Sequence, residues 1–217
     1  MDEPRTIYLA GELFSVKHLA GNAALAGEIA RLSAGRYRCV LPQDLPQGLP
    51  PRAIRDQDLR GLLACDGAVF HYDGLELDSG TVVEYLFAKF ADIPAVLLRT
   101  DFRNVSEQQD GGEPWNLMNS FYPRTEIVRL NSMELYHAAL ANNAGASGKA
   151  AAAVMERAAR EVCAALDKVF ALPPLLPREL GPSVYNWLAV MPGVDDPAAA
   201  RDELQRLYEA KMAKGCL

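Results

Sequence analysis

Residues 67–84 read Gly67-Ala-Val-Phe-His-Tyr-Asp-Gly-Leu-Glu-Leu-Asp-Ser-Gly-Thr-Val-Val-Glu84. The apolar run 67–72 predicts a buried strand, and the stretch 81–91 is typical of a helix. Between them lies a short loop rich in acidic residues and glycine. A buried strand that passes through such a loop into a helix is the repeating unit of α/β folds.

The same order of strand and helix recurs on both sides of this stretch. The predicted strands are residues 6–10, 37–41, 67–72, 94–98 and 126–130. Helical spacing of Leu25, Ile29 and Leu32, and a second helix at 51–64, separate the first three strands. We therefore predict an α/β fold with a doubly wound, mainly parallel five-stranded sheet of flavodoxin-like or Rossmann-like type. In such sheets a ligand binds beyond the carboxyl ends of the strands.

The character of the chain changes after about residue 140. A linker of small residues is followed by an alanine-rich helix, a proline-rich passage and a polar helix. We expect a catalytic domain of residues 1–140 and a C-terminal helical extension of residues 145–217, packed on the core or on another subunit. The aromatic segment 185–192 of this extension is expected to pack rather than to cover a pocket.

Composition excludes several classes of function. The net charge of −6 provides no electrostatic footprint for a nucleic-acid backbone, so we expect a small substrate and no nucleic acid. No apolar run is long enough to cross a membrane, and the amino terminus lacks the features of a signal peptide, which predicts a cytoplasmic protein. The four cysteines and three histidines lack metal-ligand spacing, so no metal and no cofactor are expected.

Acidic residues are dense where the third strand enters its helix. Asp73, Glu76, Asp78 and Glu84 gather there, beside glycines that allow close approach of a ligand to the backbone. Acidic residues near a helix start also have an ordinary explanation, because they complement the helix dipole and cap free amides. Their position at the predicted ligand-binding edge favours a functional role for some of them.

A further carboxylate interrupts the apolar stripe of the helix 51–64. This stripe runs through Ile54, Leu59, Leu62 and Leu63, and Asp58 stands four residues from both Ile54 and Leu62. Asp58 is therefore either partly buried or facing a cavity, and burial would raise its pKa, as suits a proton donor. Solvation of the stripe edge is the alternative. Asp56 is predicted to lie on the surface.

Two carboxylates in different environments are what glycosidic chemistry requires. One attacks the anomeric carbon, and the other manages protons at the leaving group. The same residues would also suit a non-catalytic nucleotide-binding module, in which carboxylates accept hydrogen bonds from sugar hydroxyls.

Five motifs, in this order, resemble the nucleoside 2-deoxyribosyltransferase family over roughly the first 130 residues. They are Ile7-Tyr-Leu-Ala-Gly-Glu-Leu-Phe-Ser15, Gln57-Asp-Leu59, Asp73, Asp78-Ser-Gly-Thr-Val-Val-Glu84 and Asn116-Leu-Met118. Each motif alone is weak, whereas the ordered set is fairly specific.

The resemblance implies a role for each matching residue. Glu84 would be the covalent nucleophile, Tyr8 would hold it in its attacking rotamer, and Asp58 would assist protonation of the departing base. The implied substrate-binding residues are Asp78, which would bind the deoxyribose hydroxyls, and Gln43, Gly11, Phe14, Asp73, Gly80, Asn116 and Met118. In the family the equivalents of Asn116 and Met118 come from a neighbouring subunit, so a homo-oligomer is expected.

The implied reaction transfers 2-deoxyribose between nucleobases with retention of configuration, and its substrates would be 2′-deoxynucleosides and free bases. Water in place of the second base would make the protein a deoxynucleoside N-glycosidase, a hydrolase. A 5′-monophosphate N-glycosidase would need a phosphate cradle, and Glu12 would repel a phosphate. The family pattern stops soon after the last strand, so no role carries over to Leu217.

Overall fold

The computed structural model describes residues 3–103 and 113–217 of the chain. Its sheet has five strands, each within one residue of a predicted strand at either end. In chain order they are β1 (Arg5–Ala10), β2 (Tyr37–Val40), β3 (Gly67–His71), β4 (Ala95–Arg99) and β5 (Thr125–Arg129).

The strands follow the order β2-β1-β3-β4-β5, and every neighbouring pair is parallel. The doubly wound α/β prediction is therefore confirmed, with a sheet that is wholly rather than mainly parallel. The chain leaves β1 towards β2 at one edge and returns through β3 towards the other edge. The strand order thus reverses between β1 and β3, which opens a crevice at their carboxyl ends.

Seven helices surround the sheet in the described residues. They are α1 (Val16–Leu32), α2 (Pro51–Ala64), α3 (Ser79–Phe90), α4 (Ser132–Asn142), α5 (Ser147–Ala171), α6 (Gly181–Val190) and α7 (Pro197–Ala213). Successive strand residues point to opposite faces, so the sheet has two apolar cores. Tyr8 and Phe70 pack with α2, α3, α6 and α7, whereas Ile7 and Val69 pack with α1 and α5.

The C-terminal helices complete both of these cores. The 25-residue α5 lies beside α1 and contributes Val162, Leu166 and Val169, all fully buried, to one of them. On the other face, Tyr185 of α6 is fully buried, and its hydroxyl donates to the carbonyl of Ala91 at the end of α3. In the aromatic segment 185–192, Tyr185, Leu188 and Ala189 are buried as predicted, whereas Trp187 is 62 % exposed.

One prediction about α2 is wrong. Asp56 is not a surface residue; it is only 7 % exposed, whereas Ile54 of the predicted apolar stripe is 39 % exposed. The reason is that α2 packs on two sides. Its Leu59, Leu62 and Leu63 meet the sheet, while Asp56 turns towards α6 and α7 and accepts two hydrogen bonds from Arg55. A buried carboxylate needs such a partner.

Candidate active site

An open cavity of about 850 Å³ lies at the carboxyl ends of β1 and β3, between α2, α3 and the loop that follows β1. This volume is within the range that holds a nucleoside-sized molecule. Seven of the residues singled out from the sequence line it: Gly11, Phe14, Gln43, Asp58, Asp78, Gly80 and Glu84. Of the other four implied site residues, Tyr8 is fully buried and contacts Glu84 at the cavity wall.

Glu84 and Tyr8 form the central contact of this site. Tyr8 lies on β1 with its ring in the core, and its hydroxyl donates a hydrogen bond of 2.7 Å to Glu84 Oε1. Burial and the nearby Glu84 charge raise the pKa of Tyr8 far above its ordinary value, so the phenol stays protonated and acts as the donor. Glu84, which faces the cavity from the second turn of α3, is therefore held in one position.

Burial dominates the protonation of Glu84. It raises the pKa of this carboxyl to about 7, with further upward contributions from the charges of Asp58 and Asp78. The hydrogen bond from Tyr8 acts in the opposite direction because it stabilises the ionised form. Burial also raises the pKa of Asp58. The cavity thus contains two carboxyls whose protons are held more tightly than in water, which suits a proton donor, whereas the hydrogen bond from Tyr8 favours the ionised form that a nucleophile needs.

Asp78 begins α3 and divides its two oxygens between two tasks. Its Oδ2 accepts hydrogen bonds from the Thr81 amide at 2.7 Å and the Thr81 hydroxyl at 2.9 Å, which caps the helix. Among the described residues Oδ1 has no partner, and Asp78 lines the cavity. The ordinary capping explanation therefore accounts for one oxygen of Asp78 and leaves the other for a ligand.

Gly11 brings the loop after β1 close to the end of β3. A Cβ atom at this position would lie 2.8 Å from the Cβ of His71, which is closer than packed atoms approach. Glycine is therefore required here for packing. The loop that it begins presents Phe14, which is 76 % exposed and lines the mouth of the cavity.

Gln43 lines the cavity from the 3₁₀ turn Pro42–Asp44. Its Oε1 accepts from Asn22 Nδ2 at 3.3 Å, and its Nε2 donates to the Leu19 carbonyl at 3.1 Å. The side chain is thereby tied to α1. One Nε2 hydrogen and one Oε1 lone pair are left for a ligand.

The structure does not bring the remaining predicted residues to the cavity. The carboxylate of Asp73 accepts hydrogen bonds from the amides of Thr100 and Asp101 and so fixes the end of β4. Asn116 and Met118 are exposed and lie outside this cavity in their own subunit; Asn116 Oδ1 accepts from the Met118 amide, beginning a 3₁₀ turn. Within the single chain, neither residue lines the cavity.

The cavity also contains residues that sequence reasoning missed, namely Leu13, Leu19, Gln47 and Arg55. A signal for Arg55 existed, because it stands three residues before Asp58 and therefore shares its face of the helix. No such spacing marks the others, which lie in loops or at the end of a neighbouring helix.

Residues 3–103 and 113–217 lack two features, a metal-binding group of side chains and a membrane-spanning helix. No group of three or more histidine, cysteine, aspartate or glutamate side chains has an arrangement that would hold a metal ion. None of the helices formed by these residues combines the length and apolar character needed to cross a membrane.

Comparison with known proteins gives one family. The family model described as nucleoside 2-deoxyribosyltransferase matches residues 7–118, just over half of the chain. No curated protein matches the chain in sequence.

Two solved structures are similar to parts of the chain. A conserved protein from Enterococcus faecalis V583 is 26 % identical over 58 % of this chain and 92 % of its own, with a TM-score of 0.49. A 2-desoxiribosyltransferase from Leishmania mexicana is 25 % identical over 64 % of this chain and 98 % of its own, with a TM-score of 0.45.

Proposed function

Because the chain belongs to the nucleoside 2-deoxyribosyltransferase family, we propose that it transfers 2-deoxyribose between nucleobases through a covalent intermediate on Glu84. The observation that carries this proposal is the 2.7 Å hydrogen bond from Tyr8 to Glu84, a partly buried carboxylate at the wall of the cavity. The substrates are 2′-deoxynucleosides and free nucleobases, and no cofactor takes part.

In the first half-reaction, the ionised Glu84 forms a bond to C1′ of the sugar as the bond from C1′ to the base nitrogen breaks. The electron pair of the broken bond goes to the base. Asp58 gives a proton to the departing base at this stage, and the burial that raises its pKa favours the form that carries this proton. The free oxygen of Asp78 accepts a hydrogen bond from a sugar hydroxyl and positions C1′ before Glu84.

In the second half-reaction, a different base enters the place of the first. Asp58, now ionised, takes a proton from the incoming base, whose nitrogen attacks C1′ and displaces Glu84. Two displacements at one carbon retain its configuration. The positive charge that develops on the sugar is better tolerated without the electron-withdrawing 2′-hydroxyl, so 2′-deoxynucleosides are the preferred donors.

Hydrolysis is the second candidate, and one observation favours it. The cavity of a single chain is open, with Phe14 exposed at its mouth, so water has access to the intermediate unless another subunit closes the opening. The protein would then act as a deoxynucleoside N-glycosidase with the same nucleophile.

Incubation with deoxyinosine and free adenine distinguishes these activities. We expect deoxyadenosine to form, detected by chromatographic separation of the products, and inosine to react at least about 100-fold more slowly than deoxyinosine, a difference of about 3 kcal/mol in the barrier. Formation of free deoxyribose without deoxyadenosine would indicate hydrolysis instead of transfer. If no base is released from deoxyinosine or, in a parallel incubation, from thymidine, both activities are contradicted and the non-catalytic nucleotide-binding module remains.

Substitution of Tyr8 tests the contact that carries the proposal. In Tyr8→Phe the hydrogen bond that lowers the pKa of Glu84 is lost, so this pKa will rise above about 7. The acid limb of the kcat/KM profile will move to higher pH by about one unit, because a hydrogen bond to a charged group is worth about 1.5 kcal/mol or more. Tyr136 of α4, which is half-buried and lies outside the cavity, provides a control substitution, Tyr136→Phe, which leaves the profile unchanged. An equal loss of rate at every pH would contradict this role of Tyr8.

We also propose that the active form is a homo-oligomer in which Asn116 and Met118 reach a neighbouring site. Four apolar side chains of α3 and of the segment before β5 support this: Val83 is 48 %, Phe90 56 %, Met118 69 % and Phe121 82 % exposed. Exposed apolar groups of this number are typical of a contact surface. A monomer mass by light scattering at the protein concentration of the activity assay would contradict this assembly.

We further propose that residues 1–140 form the catalytic domain and that the extension of residues 145–217 has a supporting role. Two contacts favour this role. Arg52 of α2 forms an ion pair of 2.8 Å with Asp195 and a hydrogen bond with the Gly193 carbonyl, both between α6 and α7. The extension thereby braces the helix that carries Asp58.

A further inference from the structure

Helix α2 separates the cavity from the C-terminal extension, and neighbouring residues of this helix face opposite sides. Arg55 and Asp58, three residues apart, line the cavity. Asp56 lies on the other side, where it borders a small hollow together with Leu188 of α6 and Leu204 of α7. Arg55 and Asp56 are nevertheless joined, because the arginine side chain folds back onto the aspartate.

This contact holds the guanidinium of Arg55 but engages only some of its N–H donors. Its Nε and Nη2 donate to Asp56 Oδ1 at 2.9 and 2.6 Å. Two of the five N–H donors of an arginine are thus engaged, which leaves three. Asp56 is 7 % exposed, whereas 47 % of the Arg55 side chain is exposed, so the buried partner anchors one edge of the guanidinium and leaves the other edge accessible.

Other donors on this side of the cavity are partly consumed by the protein itself. Gln47 donates to the Leu45 carbonyl at 2.8 Å, and Gln57 donates to the Pro46 carbonyl at 3.2 Å. Gln43 is tied at both ends, as described above. Among the described residues that line the cavity, Arg55 is the one cation, and it keeps the largest number of free donors.

Arg55 stands on the same side of the cavity as Asp58, away from Asp78 and Glu84 of α3. Under the proposed function, on which this inference rests, α3 holds the sugar and α2 faces the nucleobase. A guanidinium pairs in a bidentate manner with two adjacent acceptors, and O6 and N7 of a 6-oxopurine form such a pair. Adenine has an amino group in place of O6, so an N–H donor of Arg55 would face another donor.

We propose that Arg55 selects among purine nucleosides, favouring those with a 6-oxopurine base over those with adenine. One bidentate contact to the correct base edge gives a discrimination of about tenfold or more. Asp56 positions the guanidinium for this contact from the buried side of α2.

Binding measurements test the proposal without depending on turnover. In the Glu84→Gln variant, which retains the cavity but lacks the nucleophile, isothermal titration with deoxyinosine and deoxyadenosine gives a Kd for each. We expect deoxyinosine to bind about tenfold more tightly or better. Adding Arg55→Met will remove this preference, chiefly by weakening deoxyinosine binding. Adding Arg60→Met instead, which removes an exposed arginine of the same helix outside the cavity, will preserve the preference.

Three results would overturn the proposal: equal affinities in Glu84→Gln, a preference that persists with Arg55→Met, or no binding of either nucleoside. Base release by the unsubstituted protein is measured separately. If release is absent while the Arg55-dependent preference is present, the proposed function fails and Arg55 selectivity stands. If both nucleosides bind with equal affinity and release their bases equally well, Arg55 selectivity fails and the proposed function stands.

Discussion

Replacing Glu84 with glutamine will reduce release of the base from a 2′-deoxynucleoside by on the order of 10⁴-fold, a loss comparable to that found on removing a nucleophile elsewhere. Glutamine preserves the size of the side chain and can still accept the hydrogen bond from Tyr8, but its amide oxygen does not form a stable ester-like bond to C1′. The measurement is the initial rate of base release at pH 8, where the unsubstituted Glu84 is mostly ionised because its pKa is about 7.

Stability measurements will distinguish a loss of activity in Glu84→Gln from a loss of folding. The pKa of Glu84 is raised in the folded protein from 4.5 to about 7, so the protonated form is favoured by folding and ionisation costs stability. The contribution is fully present below pH 4.5 and is lost as the pH rises through about 7. Glu84→Gln, which cannot ionise, will therefore be more stable than the parent above pH 7, by on the order of 2 kcal/mol.

A matched control is Glu134→Gln, which removes an exposed carboxylate in the first turn of α4. It will leave both the rate of base release and its pH dependence unchanged. Residual activity of Glu84→Gln within about tenfold of the parent would contradict a covalent role for Glu84 and favour a carboxylate that only binds the sugar.

The sheet and the α3 part of the site follow from local features of the sequence. The three inner strands are short apolar runs that are largely buried on both faces, so their positions were predictable to within one residue. The loop from Asp73 to Glu84 could be assigned to the ligand-binding edge because it leaves the central strand β3. Within it, however, only the coordinates distinguish Asp78, which lines the cavity, from Asp73, which binds the backbone after β4.

The α2 part was less predictable because this helix is packed on two sides by segments distant in the chain. Periodicity identified Asp58 as a misplaced acid but gave Asp56 the wrong environment, since its neighbours Leu188 and Leu204 lie more than 130 residues later. The packing position of α5 was also difficult to predict. Its alanine-rich sequence predicts a helix, but an apolar stripe alone does not specify which face of a sheet it will cover.

The second large effect concerns a buried ion pair that attaches the C-terminal extension to the sheet. Arg124, 3 % exposed, forms an ion pair of 3.1 Å with Asp92 and donates to the carbonyls of Asp92 and Cys216. Asp92 Oδ2 in turn accepts from the amides of Leu175 and Leu176 at 2.6 and 2.9 Å. The pair therefore holds both the proline-rich passage and the end of the chain.

Arg124→Met will lower the free energy of unfolding by about 3–5 kcal/mol, because it leaves the buried Asp92 carboxylate and the Cys216 carbonyl without their partner. The midpoint of urea denaturation measures this loss. Arg157→Met is the control, since Arg157 forms an exposed pair with Glu161 one turn along α5 and contributes about 0.5 kcal/mol or less. Similar midpoints for the two variants would contradict the importance of the buried pair.

The double variant Asp92→Asn/Arg124→Met separates the pair itself from the penalty of breaking it. Asparagine keeps an acceptor oxygen for the amides of Leu175 and Leu176 but carries no charge. The double variant will therefore lose less stability than Arg124→Met alone, because no uncompensated charge remains buried. If it loses as much as the two single substitutions together, the cost lies in lost packing and hydrogen bonds rather than in the stranded carboxylate, and Arg124 would be replaceable by a neutral donor of similar size.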